Sequence, residues 1–322
     1  MTPAGPDTVV AAAQAGDESA VSELVRRHRN ELQVHCYRML GSFTESEDLV
    51  QETFLRAWRG LDRFEGRSTF RARLYRIATN ACLDALTHRQ RRLLPYDVVP
   101  AADLDGPPPE PAEYRSLEPC PDHLLPGEAV VARETIELAF LAAIQHLTPR
   151  QRAALIVRDV LGWSARETAE LLEISEAAVN SLLQRARPTL RKHLPTPRHE
   201  WTTDAELTEA EGVLLRRYID AHQRAVLRED VRVSYPPYPL WCDSRDDFIE
   251  GSRKFAPPGE IRFVATTANR QPAAALCLRS PGDADFRLIA LEVLRIEGDQ
   301  IAEIVDFDLP ELFPAFGLPA TL

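Results

Sequence analysis

A chain of 322 residues with 44% hydrophobic content is long enough for two or three compact units, each with its own core. Its formal net charge of -11 argues against holding nucleic acid by bulk electrostatics, because phosphate binding is driven by Lys and Arg displacing counterions. No run approaches the roughly 20 apolar residues of a membrane helix, and the opening MTPAGPDTVVAAAQAGDE lacks the basic start and apolar stretch of a signal peptide, so a cytoplasmic protein without a membrane partner is expected.

Five scattered cysteines (Cys36, Cys82, Cys120, Cys242 and Cys277) include no C-x-x-C pair, so they read as buried free thiols, and no metal or cofactor is expected. Charge is segregated. Gly66 to Pro95 holds seven arginines against the single acid Asp84, whereas Tyr96 to Glu128 holds eight acids and one arginine. Residues 17–93 read as helices: Val21, Leu24, Val25 and His28, then Leu49, Val50, Thr53, Phe54 and Trp58, recur at helical spacing. Thr44 to Asp48 offers an N-cap with acids in the first turn, and Gly60 and Gly66 bracket a break. The first domain is placed at 10–94. Residues 95–128, with eight prolines after Tyr96 and an acidic excess, read as a flexible linker unable to bury enough apolar surface to fold.

Helical periodicity returns over 129–195, divided at Gly162 and near Ser175. Thr148-Pro149 starts one helix, Ser164-x-x-Glu167 is a capping box for the next, and Ser175 caps the last, which describes a helix-turn-helix. The remaining domain, 203–320, opens with a helix over Asp204 to Leu227. Alternating strands follow at Val231 to Tyr235, Glu260 to Thr267, Ala273 to Arg279, Phe286 to Ile296 and Ile301 to Phe307. The pattern is α+β.

The segment DLVQETFLRAW, Asp48 to Trp58, resembles region 2.2 of sigma-70 family factors. Leu49, Val50, Phe54 and Trp58 would face the core and leave a mixed polar surface for a partner helix. The resemblance implies that Asp48, Gln51, Glu52 and Arg56 bind the coiled coil of the polymerase beta-prime subunit; an ordinary amphipathic helix is the alternative. FRARLYRIATNACLDALTHRQRR, Phe70 to Arg92, resembles regions 2.3 and 2.4, which open and read the minus-10 promoter element. That role implies base and phosphate contacts from Arg71, Tyr75, Asn80, Asp84 and Arg89, combining aromatic stacking with arginine charge. The sequence departs from many relatives at Arg73, where they have Trp, and at Thr87 and His88, where they carry a denser basic cluster. A solvated charged face is the alternative.

The last helix of the helix-turn-helix, Glu176 to Leu190, resembles the minus-35 reader of region 4. Glu176, Asn180, Ser181, Gln184, Arg185 and Arg187 are its candidates for promoter DNA, Asn, Gln and Arg being suited to base edges. The unit would also touch the polymerase beta flap. The order of region 2, acidic linker and region 4 identifies the chain as similar to extracytoplasmic-function (ECF) sigma factors. It implies two all-α sigma domains, a region 2 helical bundle and a region 4 helix-turn-helix, partnered by core RNA polymerase and promoter DNA, with no catalytic turnover by this chain.

The C-terminal segments LLRRYIDAHQRA, VRVSYPPYPLW and EVLRIEGDQIAEIVDFDLPELFPAFGLP resemble a SnoaL-like cone with a curved antiparallel sheet. Tyr235, Tyr238, Trp241, Phe263 and Phe307 are candidates to line a ligand pocket or to be core, with Asp220, His222, Asp306 and Asp308 as polar candidates. An apparent shortening between Ala225 and Asp230 is expected to open the cone. The expected role is regulation of the sigma domains. The alternatives are a small-molecule-binding or isomerase/cyclase-like enzyme, or a helix-turn-helix regulator with a sensor domain.

Overall fold

The computed structural model describes residues 6–66, 68–87, 90–103, 114–125, 136–194, 208–221, 225–318 and 321. The chain divides into two compact units, one formed by residues 1–91, 124–135 and 139–199, the other by 92–123, 136–138 and 200–322. Among the described residues no helix is long and apolar enough to cross a membrane.

The first unit is helical. α1 (Pro6–Gln14), α2 (Glu18–Leu40), α3 (Phe43–Arg59) and α4 (Phe70–Thr87) are followed by α5 (Leu138–Gln145), α6 (Pro149–Leu155), α7 (Ala165–Leu172) and α8 (Glu176–His193). Asp17 caps α2, accepting from Ser19 N at 2.8 Å, and Gly41 ends it in a left-handed conformation. The cap of α3 is Ser42, which accepts from Glu45 N at 3.1 Å, so the helix starts ahead of the expected Thr44 to Asp48. Leu24, Leu32, Tyr37, Val50, Ala57, Leu74 and Ala78 are buried in this unit.

Three local signals in the second half hold as expected. Thr148 and Gln151 form a capping box on α6, Ser164 and Glu167 form one on α7, and Ser175 accepts from Ala178 N at 3.2 Å to cap α8. α6 runs into a π-helical turn, Ile156–Val160, and Glu173 at φ 55° ends α7 in the left-handed region, turning the chain into α8. One buried side chain ties α2 to this half. Arg152, 1% exposed, donates to Met39 O, to Gln145 Oε1 at 2.6 Å, and to the carbonyls of Ile144 and Gln145, each at 3.1 Å. These carbonyls lie at the C-terminal ends of α2 and α5, where helices leave acceptors unpaired and favour positive charge.

The second unit is α+β. α9 (Glu209–Ala221) and α10 (Arg245–Phe255) accompany a six-stranded sheet of β3 (Leu227–Ser234), β4 (Trp241–Cys242), β5 (Glu260–Ala268), β6 (Gln271–Arg279), β7 (Arg287–Glu297) and β8 (Gln300–Phe307), in the order β4-β3-β8-β7-β6-β5. The sheet is mixed rather than purely antiparallel, because β3 runs parallel to β8. A parallel pair needs a long crossover, and everything from β4 to β7 supplies it. Alternation places Val231, Val233, Leu294 and Ile304 in one core with Leu214, Leu215 and Tyr218 of α9 and Phe248 of α10. α9 ends at Ala221, short of the expected Leu227, and Val226 and Leu227 are buried in this core.

Of the segment 95–128, expected to be a flexible linker, the described residues 95–103 and 114–125 are packed. Within the second unit, β1 (Arg92–Leu93) pairs in parallel with β2 (Arg115–Ser116), and Arg92 forms an ion pair with Glu118 at 3.0 Å. Trp241 Nε1 donates to Val99 O at 2.8 Å, and Ala102 N to Trp241 O at 2.9 Å. Arg232 lies over the Tyr96 ring, 4.4 Å from its centre. The segment lacks apolar surface for a core of its own, but it borrows one face of the sheet.

Candidate functional site

α3 presents the polymerase-docking candidates on one exposed face. Val50, Thr53 and Ala57 form its buried stripe, while Phe54 and Trp58 are half-buried rather than in the core as expected. Asp48, Gln51 and Arg56 are exposed, and Glu52 is half-buried and accepts from Arg56 Nε at 2.7 Å. Leu55, 49% exposed, sits among them. An apolar side chain ringed by charge has the composition of a binding surface.

α4 departs from expectation at its aromatic residue. Tyr75 is 1% exposed, with its ring 5.0 Å from His35 and 5.5 Å from Trp163. Its hydroxyl donates to Glu31 at 3.3 Å, and burial pushes its pKa up. Tyr75 is therefore a core residue here and offers no face to a base. Arg71 is tied to Glu31 at 2.7 Å and lies over the Tyr75 ring. Asn80 is half-buried and Asp84 exposed; Arg89 lies outside the described residues. Arg73 donates to Gly60 O at 2.7 Å and so closes the turn after α3.

α8 separates a buried stripe from an exposed polar face. Val179, Leu183 and Ala186 are buried, and Glu176, Asn180, Ser181, Gln184, Arg185 and Arg187 are all exposed. Arg187 is held by Asp159 in a two-point ion pair at 2.8 and 2.9 Å. The helix's start adjoins a groove lined by Glu170, Glu173 and Glu176 together with Arg166. Carboxylates at that position repel phosphate.

The pocket candidates of the C-terminal domain fall on two faces of its sheet. Tyr235 and Phe263 pack against the α9 core, and Asp306, opposite Glu292 in the β7–β8 register, shares that face. Trp241 and Phe307 alternate to the other face, and Tyr238 bonds to Asp308 at 3.0 Å. Asp220 lies at the end of α9, and His222 lies outside the described residues. Sequence reasoning missed Glu292 and Tyr218, whose hydroxyl donates to Glu292 at 2.8 Å. One acid inside the apolar run of β7 was the available signal. Burial, reinforced by Asp306, pushes the Glu292 pKa well up, and burial beside Asp308 pushes Asp306 to about 7.

An acid whose folded pKa lies above its unfolded value favours the folded state while protonated. Stability from Asp306 is thus full below about 4 and lost as pH rises to about 7. Hydrogen exchange in β7 and β8 should accelerate over that window beyond its intrinsic pH dependence. Asp306→Asn should flatten the trend and slow exchange at pH 7.5. An unchanged profile in the variant would remove Asp306 as its source.

The sigma-70 region 2 family model matches residues 24–92 and the sigma-70 region 4 model residues 137–190. The ECF RNA polymerase sigma factor SigG of Mycobacterium tuberculosis is 42% identical over 322 residues, covering 95% of this chain and 85% of its own. SigW of Bacillus subtilis is 31% identical over 179 residues, 56% of this chain and 91% of its own. The crystal structure of the extracytoplasmic function sigma factor SigJ of Mycobacterium tuberculosis matches with a TM-score of 0.61 at 20% identity, covering 93% of this chain and 99% of that one, which is a likeness of fold.

Proposed function

Because the chain belongs to the extracytoplasmic-function RNA polymerase sigma factors, we propose that it docks on core polymerase through α3 and reads promoters with α4 and α8. The polymerase does the chemistry. Asp48, Gln51, Glu52 and Arg56 would meet polymerase. Asn80 and Asp84 would face the minus-10 element, and Glu176, Asn180, Ser181, Gln184 and Arg185 the minus-35 element. The observation that carries this reading is α8, where every polar candidate is exposed and the apolar residues between them are buried. Arg71 and Tyr75 join only if the packing of α4 against Glu31 and Trp163 opens.

The C-terminal domain is assigned a regulatory role. Run-off transcription with core polymerase tests both assignments. The full chain should direct a promoter-specific transcript, and truncation after Pro195 should change its amount severalfold. Equal output from both proteins would remove the regulatory role. A tight, specific gel shift without polymerase would contradict the dependence on polymerase. A second reading, a small-molecule site on the α9 face, is favoured by the Tyr218–Glu292–Asp306 cluster, whose Asp306 Oδ1 is buried without a hydrogen-bond partner.

A further inference from the structure

We infer that the β5–β6 turn is a clasp for the segment joining the two sigma domains, so that the C-terminal domain regulates by holding or releasing that segment. This rests on the regulatory role proposed above and supplies its mechanical basis.

The turn is two residues long, Asn269 and Arg270, both at φ 56°, the left-handed pair of a tight hairpin in which Asn is favoured. It does more than reverse the chain. Asn269 is 0% exposed, and its Oδ1 accepts from Cys120 N at 2.8 Å while its own N donates to Cys120 O at 2.9 Å. Its Nδ2 donates to Ile136 O at 2.8 Å. One side chain therefore grips the segment at two points 16 residues apart in sequence. Two neighbours extend the grip: Arg270 N donates to Asp122 Oδ1 at 2.7 Å, and Gln271 Oε1 accepts from Leu138 N at 2.8 Å. Leu117, Cys120, Ile136 and Leu138 are buried along this path.

The segment's own ladder is only the two-residue β1–β2 pair, so its other buried backbone groups need partners from elsewhere. The turn supplies them, and the Tyr96–Arg232–Trp241 contacts hold the upstream part. Among the described residues the segment is held near its start, where Arg92 pairs in β1, and near its end at Cys120, Asp122, Ile136 and Leu138, the last being the first residue of α5. Released, the same stretch behaves as a coil with an r.m.s. span of roughly 40 Å, enough to let two readers reach separated promoter elements on polymerase.

The test uses the full chain. Asn269→Ala should speed hydrogen exchange at the Cys120 amide at least tenfold, leave the β7 and β8 amides unchanged, and alter promoter-specific run-off transcription severalfold. Asp122→Ala, on the held segment itself, should do the same at the Arg270 amide, and it carries the test if Asn269→Ala fails to fold. Unchanged exchange at both amides would overturn the clasp. Faster exchange with unchanged transcription would overturn its regulatory use, even where truncation after Pro195 still shows that the domain regulates.

Discussion

Replacing Arg152 by alanine is expected to destabilise the helical unit by about 3 kcal/mol or more and to lower its thermal midpoint by roughly 6–12 °C. The guanidinium bonds at once to the carbonyl ends of α2 and α5, through Met39, Ile144, Gln145 and Leu147. Burial pulls its pKa down to about 9, so it stays charged at neutral pH, where a cation is the right partner for two helix C-termini. Alanine would strand several buried acceptors and open a cavity among them. Lysine would restore charge but not the planar fork that reaches divergent acceptors, so Arg152→Lys should recover only part of the loss. Calorimetry of the full chain measures this; a midpoint shift below about 2 °C for the alanine variant would show that the joint is not where the sigma domains cohere.

Gln184→Ala with Arg185→Ala is expected to cut promoter-specific transcription by roughly 10- to 100-fold while leaving the fold and the affinity for polymerase unchanged. Both side chains are exposed on α8, away from its buried Val179, Leu183 and Ala186, so removing them costs no packing. A well-formed side-chain contact to a base edge discriminates by about 1–3 kcal/mol, so two of them at the lower end of that scale, about 2 kcal/mol together, give roughly 30-fold, within the expected range. Arg187→Ala is the control, because its guanidinium is already committed to Asp159 and its loss should act on stability before specificity. Run-off transcription across promoters differing only in the minus-35 element separates the two effects. Equal losses on every promoter would mean that the helix holds phosphate without reading sequence.

What was legible in the sequence was local. The capping residues Ser164, Glu167 and Ser175 announce α7 and α8 because a cap is decided by side chains within four residues of the helix start. The exposed face of α8 follows from its periodicity. Tyr75 misled because its surroundings are set from afar: His35 lies 40 residues before it and Trp163 88 residues after, and no spacing within α4 reveals that the two enclose its ring. The linker misled for a related reason. Its composition correctly denies it a core of its own, but says nothing of Asn269 and Trp241, far downstream, which provide one. Likewise the parallel pairing of β3 with β8 joins the first long strand to the last, and alternation within either strand carries no sign of its partner's direction.

The most direct measurement is association of the full chain with core RNA polymerase, read by co-elution and by titration of a fluorescent label. A stoichiometric complex is expected, lost or weakened at least tenfold when Glu52→Lys and Arg56→Glu reverse the charges on the exposed face of α3. A chain that elutes apart from polymerase at micromolar concentration would contradict the account, whatever DNA it binds alone.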